Sequence, residues 1–192
     1  MRHDGWWLMA AGLAVAAGPV LGAVLKSGPQ VGQRPLPFTS NFVTGQQRGK
    51  QYCYVCELKD EPAVLVFARK TDEPTARLLR GVRDAVRDNA GQKLFGWFVF
   101  LGQPGTANET ALERAAYQFA RQNGATSLPI SALGDPAGPP GYEIDPDAEL
   151  TLVFFRSKKV LANRSYRAKE WNARAADALV RELPKLLRNG AE

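Results

Sequence analysis

Cys53-Tyr54-Val55-Cys56 contains both cysteines of the chain. The two-residue spacing keeps the sulfurs within bonding reach. Such a pair can close a disulfide, and a Cys-x-x-Cys loop can exchange that bond with thiols of another molecule through a mixed disulfide. Four chemistries stay open for it. They are a structural or slowly exchanging disulfide, a working thiol-disulfide site, a soft-metal site, and a pair of inert free thiols. The metal reading has two thiolates holding Cu(I), or two chains sharing zinc. In the working-site reading Cys53, the more N-terminal thiol, attacks and Cys56 resolves. Arg48, Lys50 and Lys59 lie close in sequence, against Glu57, Asp60 and Glu61.

Little else in the chain could carry chemistry. The single histidine, His3, precedes a long apolar stretch. If that stretch is removed, no imidazole remains, which excludes Ser-His or Cys-His nucleophilic catalysis and a His-ligated zinc site. Asp145 and Asp147 flank Pro146 and read as turn residues. Asn108-Glu109-Thr110 and Asn163-Arg164-Ser165 fit the glycosylation sequon, the first at a helix start and the second inside a strand. Residues 134–141 are rich in glycine but lack the lysine and following helix of a phosphate loop. No cofactor and no resident metal is expected. The formal charge of +6 comes from 25 Lys and Arg against 19 Asp and Glu, with many of the basic residues after 155. They read as a solvated helix face and a charged hairpin, and no nucleic-acid motif with interleaved aromatics accompanies them.

The N-terminus reads as a targeting segment. Arg2 is followed by a stretch, 6–25, without a charged side chain, whose first part suits a signal-peptide core. Pro19 then precedes the small-residue end Val20-Leu21-Gly22-Ala23. Residues 1–23 are expected to be a cleaved signal peptide. The alternatives are an uncleaved anchor, a membrane tether through residues 6–25, and a buried helix of the domain. Either export reading, signal or anchor, places the domain outside the cytoplasm, in the periplasm or the extracellular space.

The elements that must position the cysteines follow from periodicity and punctuation. Residues 26–37 are rich in Gly and Pro and read as an extended arm, with a short strand over 38–43 and a polar turn at 45–49. The apolar run 63–67 suits a strand covered on both faces. Asp72 caps a helix with Pro74 in its first turn and Ala76, Leu79, Val82 and Val86 at helical spacing. A second buried strand is expected at 94–101. Thr106 and Glu109 form a capping box for a helix striped by Leu112, Ala116 and Phe119. A short strand at 128–133, a Pro- and Gly-rich loop at 134–147 and a hairpin of 151–155 with 160–166 come next. The last helix spans 169–187, with Trp171, Ala175, Ala178, Leu179 and Leu183 inward and Pro184 kinking or shortening it.

Two stretches carry a family likeness. Pro62-Ala63-Val64-Leu65-Val66-Phe67-Ala68 resembles the strand that leads into the active site of thioredoxins and peroxiredoxins. Gly141-Tyr142-Glu143-Ile144, with the strand 150–155 and the turn Lys158-Lys159-Val160, is similar to the family's Tyr-x-Ile, Pro-Thr-strand and turn pattern. Residues 128–135 resemble the extra strand and Asp of peroxiredoxins of the alkyl hydroperoxide reductase type. The likeness covers about residues 62–187 and implies an α/β fold, a thioredoxin-like three-layer sandwich with a mixed β-sheet flanked by helices. The chain then divides into residues 1–23, an arm and Cys-x-x-Cys loop at 24–61, and a thioredoxin-like domain at 62–192.

The resemblance implies an exported protein that exchanges protein thiols or disulfides through Cys53 and Cys56. The alternative it leaves is a non-catalytic thioredoxin-like binding or structural domain of the cell envelope with a loop disulfide. The sequence departs from the family in three places. The pair precedes the strand at 63–67 instead of following it, no cysteine stands between Arg69 and Arg77, and Leu150 occupies the position of the family's cis-proline. A peroxidase is therefore not expected. By chain direction, the pair belongs near the strand end opposite the usual site.

Overall fold

The structure, a computed structural model, describes residues 25–103, 105 and 108–189. The expected signal segment 1–23 lies outside the described residues. Among those described, no helix is long and apolar enough to cross a membrane.

Four helices and seven strands follow in chain order: β1 (Ser40–Phe42), β2 (Gln51–Tyr52), α1 (Tyr54–Glu57), β3 (Ala63–Ala68), α2 (Glu73–Asp88), β4 (Phe95–Leu101), α3 (Glu109–Gln122), β5 (Ile130–Leu133), β6 (Ala148–Arg156), β7 (Lys159–Arg167) and α4 (Ala173–Asn189). The strands form one sheet in the order β2-β1-β5-β4-β3-β6-β7. β3, β4 and β5 are parallel, while β1, β6 and β7 join by antiparallel pairing. The sheet is mixed, as expected.

Period-two alternation sorts the central strands between two cores. Val64, Val66, Phe98, Phe100, Leu152 and Phe154 face one side, where α2, α3 and α4 cover them with Leu79, Val82, Phe119, Leu179 and Leu183. Two crossovers, β3-α2-β4 and β4-α3-β5, step in the same direction across the sheet. Right-handed connections therefore put both helices on one face. Leu65, Phe67, Trp97, Val99, Val153 and Phe155 face the other side. There the cover is Tyr54 and Val55 of α1, Leu58, and Tyr142 and Ile144 from the Pro- and Gly-rich loop. Three layers are present, but the third is one helical turn and loop instead of a row of long helices.

The segment expected to be arm and loop adds β1 and β2 to the sheet edge, with Asn41 opposite Ala132 and the Val43 N–H donating to the Ile130 carbonyl at 2.8 Å. The arm before it is tied down. Ser27 Oγ and Thr151 Oγ1 lie 2.6 Å apart, Asn163 Nδ2 donates to the Ser27 and Pro29 carbonyls, and the Tyr142 hydroxyl donates to the Leu36 carbonyl.

Two helix expectations are corrected. Asn108, not Thr106, caps α3, its Oδ1 accepting from the Ala111 N–H at 3.0 Å. Asn108 stands directly before the first turn, where its short side chain reaches the free N–H groups. Thr106 lies outside the described residues. α4 starts at Ala173 and runs through Pro184, whose side chain is exposed, so water can serve the carbonyl the proline leaves without a donor. Its inward stripe is Ala176, Leu179, Leu183 and Leu187, whereas Ala178 is exposed.

Candidate functional site

β2 delivers the chain to Cys53, which caps the single turn of α1. Cys53 and Cys56 are joined by a disulfide with Cα atoms 5.4 Å apart, and Cys53 Sγ accepts from the Cys56 N–H at 3.2 Å. The two residues between them hold the loop in place. Tyr54 is buried against Phe42, Tyr52 and Phe95, with ring centroids at 4.9, 5.0 and 4.5 Å, and Val55 is 2% exposed. Leu58 closes the turn, its N–H donating to the Tyr54 carbonyl. Anchoring the motif through its middle leaves Cys56 exposed, while Cys53 is half-buried and packs against the core of that face.

The polar surroundings of the pair are modest. The Tyr52 hydroxyl donates to the Glu57 carboxylate. Glu61 accepts from the Lys59 N–H at 2.9 Å, and backbone N–H groups, its own first, hold its carboxyl below the usual range. Burial raises the Tyr54 phenol.

Glu57, Leu58 and Glu61 line a hollow with Lys93, Leu94 and Phe95, at the start of β4, and with Val86 near the end of α2. The loop thus runs along the N-terminal ends of β3 and β4, as chain direction implied. At the other end of β3, Asp72 caps α2 by accepting from the Thr75 N–H at 3.0 Å. In the three residues before that cap there is no thiol but a cross-brace. The Arg69 guanidinium donates to the carbonyls of Ala148 (2.8 Å), Pro136 (2.9 Å) and Asp145 (3.1 Å). Burial lowers its pKa, with Glu149 and Asp145 opposing the shift. Lys70 Nζ meets Glu149 at 2.8 Å, a hydrogen bond that raises the lysine pKa. Leu150 is buried between Ala68 and Tyr166 of the flanking strands. Sequence reasoning missed Arg69 as a brace, because its acceptors lie 33 to 79 residues away.

No family model and no curated protein matches the chain. Solved structures do. A candidate protein disulfide isomerase from Bacteroides thetaiotaomicron is 16% identical with a TM-score of 0.60, covering 87% of this chain and 97% of that one. The peroxidoxin BcpB from Mycobacterium tuberculosis is 16% identical at 0.57, covering 83% and 97%. A secreted M. tuberculosis disulfide oxidoreductase homologous to E. coli DsbE is 13% identical at 0.51, covering 77% and 95%. Identities this low speak for architecture, and on architecture the strand pattern, the layers and these solved structures agree: the chain has a thioredoxin-like α/β fold.

Proposed function

We propose that this protein exchanges disulfides with the thiols of partner proteins through Cys53 and Cys56, away from the place where the fold usually keeps its thiol. The carrying observation is the disulfide itself, held on an anchored loop with Cys56 exposed. A partner thiolate attacks Cys56 Sγ, a mixed disulfide forms, and Cys53 leaves as a thiolate that accepts the Cys56 N–H. A second partner thiolate attacks the partner's sulfur in that bond and releases the Cys56 thiolate. Two electrons pass from the partner dithiol to the pair. The two protons lost by the partner balance the two the pair takes up.

Exposure favours Cys56 for the encounter, whereas the sequence reading gives the attack to Cys53. A single helical turn adds little thiolate stabilisation, so exchange is slow beside that of a thiol at the start of a long helix. Export supplies the oxidising surroundings in which such a bond persists. The apolar N-terminal segment and the likeness to a secreted oxidoreductase support that placement.

A mixed-disulfide trap tests the assignment. Cys53→Ser leaves Cys56 as a lone exposed thiol and should capture a partner reversibly by dithiothreitol, while Cys56→Ser captures far less. Neither capture nor insulin reduction by the wild-type chain would leave the second reading, a non-catalytic envelope domain. The Arg69 brace at the fold's usual site favours that second reading.

A further inference from the structure

We propose that the groove between the β1–β2 hairpin and α3 docks an acidic, extended segment of the redox partner, a proposal that rests on the thiol-disulfide reading above. The groove, of about 390 Å³, is lined by Asn41, Arg48, Lys50, Glu113, Arg114 and Tyr117. A hollow beside it shares Arg48 and Tyr117 and adds Arg121. The Arg48 guanidinium lies over the Tyr117 ring, 4.7 Å from its centroid, and that of Arg121 at 6.0 Å.

The charges here lack the partners that the arginines of α2 have. On α2, Arg77, Arg80, Arg83 and Arg87 each pair with Glu73, Asp84, Asp88 or Asp177. Among the described residues no ion pair joins Arg48, Lys50, Arg114 or Arg121 to a carboxylate. Four cations around one lining carboxylate, Glu113, set up a positive potential that an anionic guest relieves. Guanidinium groups laid on an aromatic ring keep their N–H edges free for a carboxylate, which is how arginine binds one most strongly.

The position selects a polypeptide over other anions. Lys50 and Cys53 flank the two-residue strand β2, about 10 Å apart at the usual rise. β2 is the end strand of the sheet, so a second extended chain can run beside it. The groove lies on the α3 face and the pair on the α1 face, so the guest crosses the β2 edge. Asp or Glu residues a few positions from its cysteine then sit in the groove while that cysteine reaches Cys56.

The test compares the full chain's rate of oxidising a peptide dithiol flanked by aspartates with its rate for the same peptide carrying asparagines. The acidic peptide should react faster by at least about tenfold at low salt, the preference shrinking as salt rises. Arg48→Glu with Arg114→Glu should bring the ratio near one, Lys185→Glu on α4 should leave it, and the milder Arg48→Gln with Arg114→Gln should lower it with an unchanged thermal melt. Equal wild-type rates overturn the proposal, as does a preference that survives both double variants. If neither peptide is oxidised the exchange reading fails, and the groove is then judged by binding. Acidic-peptide fluorescence anisotropy that is lost in the double variants upholds the groove, and absence of binding overturns it. Tighter, variant-sensitive binding of DNA or anionic vesicles than of the peptide overturns the assigned occupant.

Discussion

Cys53 and Cys56 close a loop of four residues, and a loop so short removes little freedom from the unfolded chain. Extrapolating the chain-entropy relation gives about 2 kcal/mol at most. The Cys53→Ser, Cys56→Ser double variant should therefore fold cooperatively, with a melting midpoint lowered by no more than about 8 °C. Thermal melts check this, and alkylation before and after reduction reports the bond. Tyr142 gives a second expectation at this scale. Burial pushes its phenol above the ordinary value of 10. The stability this contributes is fully present below about pH 10 and is lost as pH climbs towards the raised value. Tyr142→Phe should cost about 1 kcal/mol at neutral pH, through the lost hydrogen bond to Leu36, and make the alkaline fall shallower in urea melts. The fall does not vanish, since burial raises Tyr54 and Tyr166 too. The cysteine pair was legible in the sequence because its chemistry lies in its spacing. That Tyr54 and Val55 anchor it, leaving Cys56 outermost, was not, because burial there is decided by Phe42 and Phe95 in distant strands.

The long elements were legible for a physical reason: 63–67 and 94–101 are apolar without a break, and Asp72 with Pro74 announces a helix. Boundaries were less so. A capping box at Thr106 and the observed cap at Asn108 both satisfy local rules, and the helix takes the side chain nearest its first turn. Asn108→Ala should consequently cost about 1 kcal/mol, read by urea denaturation, with Asn108→Asp close to neutral. In α4 the sequence reading turned Ala178 inward, whereas Ala176 is the alanine that packs with Leu179, Leu183 and Leu187. The helix starts at Ala173 instead of 169, so Trp171 packs from the segment before it. β1 and β2 are too short to show any period, so their membership of the sheet is settled by pairing alone, β1 with β5 and β2 with β1.

At the scale of the whole molecule, the fold and its usual chemistry are separated. The helix-opening end of β3 is braced by Arg69 and Lys70 and has no sulfur, while the sulfurs sit along the opposite end of the strands. Hydroperoxide consumption by the full chain with a reductant supplied should accordingly be negligible. Turnover abolished by Cys53→Ser would show that the cysteine loop serves the usual site after all. The four-residue closure has a further consequence, for oxidative folding. The parallel pairs β3-β4 and β4-β5 must wait for whole crossover helices, and such non-local contacts form late. The bond between Cys53 and Cys56 needs only its own turn, so it can form while everything downstream is still unmade. With two cysteines in the chain there is one intramolecular pairing and no scrambled isomer to correct. Refolding from oxidised, denatured chain should need no shuffling catalyst, and its yield should be the same whether or not a thiol is added.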